Sequence, residues 1–140
     1  MKLDTPWKKV LLVVAIVVLI VAIGGGLYAI YKPLRAQQLA SEGLKAMEAG
    51  DVDLARQKVR AANSLASNNL EVARALAKVW SKIAPADVVP LWEHVNRLSD
   101  NAVPDRQFLI LALMEAGELD RAKKELDELL KTAPEDNKTL

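Results

Sequence analysis

The 140 residues leave room for one modest domain plus additions, and a formal net charge of +1 offers no basic surplus for a nucleic acid partner. There is no cysteine, which excludes disulfides, thiolate metal sites, thiol catalysis and a cysteine-linked lipid anchor, and a single histidine, His94, is too little for a zinc site. Neither a phosphate-cradling glycine loop nor a nucleophile elbow is present, so no enzymatic activity and no cofactor are expected.

Residues 1–9 form a short tail, followed from Val10 to Tyr31 by an uncharged stretch of 22 residues, VLLVVAIVVLIVAIGGGLYAIY. As a helix it covers about 33 Å, enough for the roughly 30 Å hydrocarbon core of a bilayer. It is apolar around its whole circumference, whereas an interfacial helix would keep a polar face. Trp7, Lys8 and Lys9 at one end and Tyr28, Tyr31 and Lys32 at the other are residue types that settle at headgroup depth. These features predict one transmembrane helix over 10–31, with the lipid bilayer as a partner. The rival is a cleaved secretory signal with Ala22-Ile23-Gly24 as its cleavage site; against it, the apolar run continues for about seven residues beyond. Basic residues are nearly balanced across the run, so orientation rests on the short tail. Such a start is commonly a signal anchor with its N-terminus inside, which would put the remainder on the extracytoplasmic side of a bacterial inner membrane. Ala22/Gly26 and Gly25/Ala29 set small residues four apart, a spacing that permits helix pairing; equally, the three glycines simply loosen the end of the span.

After a linker at 32–35 the composition turns polar. All 17 acidic and 15 basic residues beyond Pro33 fall here, with a net charge near +3 from Arg35 to Ala86 and near −5 from Asp87 to Leu140. Two stretches repeat one pattern: EAGDVDLARQKVRAANSLASNN and EAGELDRAKKELDELLKTAPEDN. Each has an apolar residue two after the glycine, alanine five after it, and apolar residues nine and twelve after it. The glycines, Gly50 and Gly117, lie 67 residues apart, about twice the 34-residue period of a helix-turn-helix repeat. A third, diverged copy, LEVARALAKVWSKIAPADVVPLWEHVNRLSDN, fits between them.

In the first unit Leu39, Leu44 and Met47 with Gly43 and Ala46 form the apolar side of a first helix. Gly50 ends it, and Asp51 is placed to cap a second helix whose Val52, Leu54, Ala55, Val59 and Ala62 recur at three-and-four spacing. Gly43 and Ala55 are small enough to let the two helices approach closely.

This pattern resembles the tetratricopeptide repeat family. Gly43, Gly50, Ala55, Val59 and Ala62 match its small, glycine, alanine, large-apolar and alanine positions, and Ser67 stands where proline is usual. The last unit matches through Gly117, Ala122, Leu126 and Pro134 and departs at Ile110 and Leu129; the middle one offers Ala77 and Ala84, but Pro85 and Pro90 disturb its turn. The resemblance covers 36–136 as units 36–69, 70–102 and 103–136. It implies an all-α protein: one transmembrane helix followed by an α-solenoid of about three helical hairpins, whose concave groove is lined by each unit's first helix.

Carrying the family's groove positions over places Leu44 and Met47, then Arg74, Lys78 and Lys82, then Leu111 and Met114 against a partner. Arg74, Lys78 and Lys82, four apart, make a basic stripe between apolar flanks, suited to an acidic or amphipathic protein or peptide segment. A charge row at helical spacing is also what a solvated face looks like. Trp80 and Trp92 are expected to pack between helices, and His94 receives no role. The residues EDNKTL after Pro134 read as the entry to a further helix, with no polar capping helix. The expected function is a membrane-anchored scaffold or adaptor. Two alternatives stand beside it: the recruiting or regulatory front of a longer enzyme or secretion component, and a self-assembling structural membrane protein forming homo-oligomers.

Overall fold

Residues 5–132 are described here from a computed structural model, and among them every regular element is helical. Pro134 and the sequence after it, like Lys2 and Asp4 in the tail, lie outside the described residues.

The first helix, α1 (Pro6–Glu48), is 43 residues long, about 65 Å. Residues 10–31 within it are exposed, and the apolar window it carries has no buried residue. Among the described residues it is the one helix long and apolar enough to cross a membrane. Trp7, Tyr28 and Tyr31 are exposed at the two ends of the apolar run, and the Lys8 ammonium lies 5.8 Å from the Trp7 ring centre. The stretch 32–35, expected as a linker, is helical. Pro33 lacks the N–H that would reach back to residue 29, yet the helix continues through it, because one lost bond does not outweigh the turns on either side. Five residues after Tyr31, Ala36 is already fully buried, so the lipid-like run passes into the folded domain without a joint.

Five more helices follow: α2 (Val52–Leu65), α3 (Leu70–Ile83), α4 (Val89–Leu98), α5 (Val103–Glu115) and α6 (Leu119–Thr132). The repeated glycine turns close in the same way. After α1, Gly50 adopts φ +82°, its N–H donates to the Met47 carbonyl at 3.1 Å, and the Asp51 N–H donates to the Ala46 carbonyl at 2.9 Å. After α5, Gly117 adopts φ +78° and the same two bonds recur, to Met114 at 3.1 Å and from Glu118 to Leu113 at 2.8 Å. Both are Schellman closures, which need a residue in the left-handed region where a Cβ is strained. Asp51 then caps α2 by accepting from the Leu54 N–H at 3.1 Å, and Asn69 caps α3 through the Val72 N–H at 3.3 Å. Such short connections fold each pair back on itself, so α1 packs on α2 and α5 on α6.

The middle connection differs. Ala84 stands where the outer units have glycine, and a 3-10 turn, Pro85–Asp87, bridges α3 to α4. Pro90 occupies the first turn of α4, where its missing N–H costs nothing. That helix is only 10 residues long and is followed, after Ser99, by Asp100 and Asn101 at φ 52° and 57°.

Two cores meet on α3. Ala36, Leu39 and Ala40 of α1 and Ala55, Val59 and Ala62 of α2 pack against Val72, Leu76 and Val79. On its other side Ala73 and Ala77 meet Val89, Trp92 and Val95 of α4 and Leu109 and Leu113 of α5, with Ala122 and Leu129 of α6 behind. Small residues set the spacing. A Cβ on Gly43 would lie 2.6 Å from Val59 Cγ1 and 3.3 Å from the Ala55 carbonyl oxygen, so this glycine is what allows α1 and α2 to touch.

Candidate functional site

With α3 buried on both flanks, its remaining strip faces a hollow of about 500 Å³ between the distal part of α1 and α5. Leu44, Met47 and Glu48 come from α1, Lys78, Val79, Ser81 and Lys82 from α3, and Phe108, Leu111, Ala112 and Glu115 from α5, with Trp92 of α4 as part of the floor. The volume is at the scale of a small-ligand cleft.

The floor is rigidly built. Trp92 is 2% exposed; its ring stacks on Phe108 with centroids 4.6 Å apart and planes 10° from parallel, and its Nε1 donates to Ser81 Oγ at 3.0 Å. Ser81 in turn donates to the Ala77 carbonyl at 2.7 Å, so one hydroxyl ties α4 to α3 beneath the opening. Asn96 fixes α4 to α5, its Nδ2 donating to the Trp92 and Asp105 carbonyls at 2.8 and 3.0 Å. Trp80 sits elsewhere, half-buried beneath the guanidinium groups of Arg56 and Arg60 at 5.8 and 5.2 Å. His94 Nε2 lies 2.9 Å from the Ser67 carbonyl oxygen; a carbonyl only accepts, so this nitrogen carries the proton and ties α4 to the α2–α3 loop.

The structure brings together Leu44, Met47, Lys78, Lys82 and Leu111 from the sequence-derived set. It does not place Arg74 or Met114 in the hollow. Met114, half exposed on α5, lies outside the lining. Arg74 leaves the expected basic stripe because it is engaged inside the fold: its Nε donates to Asp105 Oδ1 at 3.0 Å, its Nη2 to Oδ2 at 2.7 Å, and its Nη1 to Glu71 at 3.2 Å. Asp105 is 2% exposed. Burial alone would raise its carboxyl, but the hydrogen bonds from Arg74 and Ser99 and the positive charges of Arg74 and Lys78 outweigh that and hold it below the ordinary aspartate value. Spacing on α3 puts Arg74 in line with the lysines, while α5 pulls it out of use.

Phe108 and Asp105 escaped the sequence reading. Phe108 had a signal: α5 is apolar on two sides, with Leu109, Ile110, Ala112 and Leu113 buried and Phe108, Leu111 and Met114 exposed, more apolar surface than one core can use. Asp105 had none, since its partner lies 31 residues away.

Lys78 and Lys82 form no ion pair among the described residues, and Glu48 and Glu115 flank them at the rim. Also among the described residues, no three histidine or carboxylate groups gather as a metal site would require. The arrangement can hold apolar side chains and pair with acidic ones. No family model matches the sequence, and no curated protein matches it.

Proposed function

We propose that the protein is a membrane-anchored adaptor that holds a segment of a partner protein in the hollow between α1, α3 and α5 and performs no chemistry on it. The carrying observation is an exposed, largely apolar hollow whose central helix presents two lysines that form no ion pair among the described residues, a combination that core packing alone does not call for. In this reading the three hairpins form a short solenoid of the tetratricopeptide type. The matching glycine closures at Gly50 and Gly117 support that, as do the small Gly43 and Ala55 where α1 meets α2. The exposed apolar part of α1 is then a single membrane span, bounded by Trp7, Lys8 and Lys9 and by Tyr28, Tyr31 and Lys32. On this reading the span is a signal anchor, with the helical domain extracytoplasmic in a bacterial inner membrane.

Partner capture from native membranes tests this. Replacing both Lys78 and Lys82 with Glu, or Leu111 with Glu, should lower recovery of a specific partner about tenfold while helix content stays unchanged. Undiminished recovery with both variants would remove the groove from the account.

A second reading, self-assembly, is favoured by α6. Leu119, Leu126 and Leu130 are exposed on it by 62%, 42% and 44%, an apolar strip with nothing packed on it among the described residues. On that reading a Leu126→Glu variant should dissociate oligomers in mild detergent, measured by sedimentation velocity. A parent that is already monomeric at all concentrations would eliminate it.

A further inference from the structure

Resting on the adaptor reading, the chemistry of the hollow says what fills it. Leu44 and Met47 on α1 and Phe108 and Leu111 on α5 form two apolar walls, with Glu48 and Glu115 at their outer ends, and between the walls α3 offers Lys78 and Lys82. Four residues apart on one helix, the two lysines stand about 6 Å apart along its axis. A ligand that satisfies both walls and the row must carry negative charge along the middle of an apolar surface. An extended chain sends alternate side chains to opposite faces, so its charged row and its apolar neighbours point apart. A helix meets the requirement, because residues four apart share a face and have neighbours on both sides of it.

Position adds a second condition. The same helix that leaves the apolar run at Tyr31 becomes the groove wall at Leu44, about 20 Å further along its axis, with no flexible joint between. Twelve residues line the hollow, against roughly 20–30 a side in a standard protein interface, so contacts made there alone bind weakly. Anchoring in one bilayer supplies the missing affinity, since a short tether raises the effective concentration to the millimolar range. We propose that the occupant is an amphipathic helix with two acidic residues four apart on its apolar face, carried close to the membrane by another chain anchored in the same bilayer.

The test uses the full chain in lipid vesicles and a labelled single-span peptide, whose leucine-rich amphipathic helix follows a flexible spacer able to cover about 20 Å. One probe carries Glu at two positions four apart; its twin carries Lys there; a soluble version lacks the span. Energy transfer to the parent, with the Leu111→Glu variant as baseline, should be seen with the tethered acidic probe. It should fall about tenfold with the Lys78→Glu/Lys82→Glu variant, which should accept the lysine twin instead. The soluble acidic probe at the same bulk concentration should give under about a tenth of the transfer. Equal capture of both twins by the parent overturns the acidic requirement and leaves the groove. Equal capture of soluble and tethered probes overturns the shared bilayer. Transfer from neither twin, with native capture still dependent on Leu111, overturns the helix class alone; if native capture is also insensitive to Leu111, the adaptor reading has failed first.

Discussion

Replacing Arg74 with alanine is expected to lower the unfolding free energy of the helical domain by about 3 kcal/mol, with a fall in Tm of roughly 15 °C. The reason is what remains behind. Asp105 is almost completely buried, and its two oxygens are both taken by the Arg74 fork at 3.0 and 2.7 Å. Without the fork a carboxylate is left in the interior with only weak alternatives, which costs more than the pair itself contributes. The figure is set at the lower end for buried pairs because the Arg74 side chain is 28% exposed and water reaches part of it. Lysine at the same position can replace the charge but not the two parallel bonds, so Arg74→Lys should recover only part of the loss. Replacing the neighbouring Lys78 with alanine, by contrast, should change stability by less than about 0.5 kcal/mol, since it is exposed and makes no ion pair among the described residues.

Acid supplies an independent check. The Asp105 carboxyl is held below its ordinary value in the folded state, so its contribution is complete above the unfolded aspartate value of about 3.9 and is lost as pH falls through the lower folded value. The stability gap between parent and Arg74→Ala should therefore be widest near neutrality and narrow below about pH 4. Urea unfolding of the full chain in detergent at neutral and acid pH, followed by circular dichroism, measures both. A gap that is small at neutral pH or constant into acid would show that the pair does not hold α3 to α5. The same argument bars Arg74 from any test of binding, because a lost partner there would report a damaged fold.

Trp92→Ala should be at least as damaging, costing about 4 kcal/mol. The indole is 2% exposed in the core shared by α3, α4 and α5, and its removal leaves a cavity that the short, proline-started α4 is poorly placed to collapse. It also strips Phe108 of its stacking partner and leaves Ser81 Oγ without its donor. Trp92→Phe separates these effects: the ring and most of the packing stay and one hydrogen bond goes, for a cost near 1 kcal/mol. Thermal unfolding of the parent and both variants, with near-ultraviolet dichroism reporting how the remaining aromatic side chains pack once Trp92 is gone, distinguishes a packing residue from a surface one. Similar, small losses for both would mean that Trp92 is not central to the core.

Much of the local structure was legible because it depends on neighbours in the chain. The uncharged run of 22 residues announces a long apolar helix through composition alone. Gly50 closes its helix as read, since a left-handed φ is a property of the single residue, Gly117 at the matching repeat position closes α5 in the same way, and Asp51 caps α2 through a bond three residues away. Leu44, Met47, Lys78, Lys82 and Leu111 line one hollow. The stretch 32–35, expected as a linker, is helical, because helix on both sides carries the chain through Pro33. Arg74 misled through a regular spacing that was real on α3 and irrelevant to its use.

What the sequence determined by itself, then, is the helical character of the described residues, with one long apolar helix among them, the glycine closures and the alternation of buried and solvated helix faces, all set by interactions within a turn or two. Only the tertiary structure decided that α1 runs unbroken into the folded domain, that Arg74 belongs to Asp105 across 31 residues, and that Phe108 and Trp92 stack beneath the hollow. Those outcomes depend on which faces three helices turn toward one another, and the energy that chooses among such arrangements comes from contacts between residues that no local spacing connects.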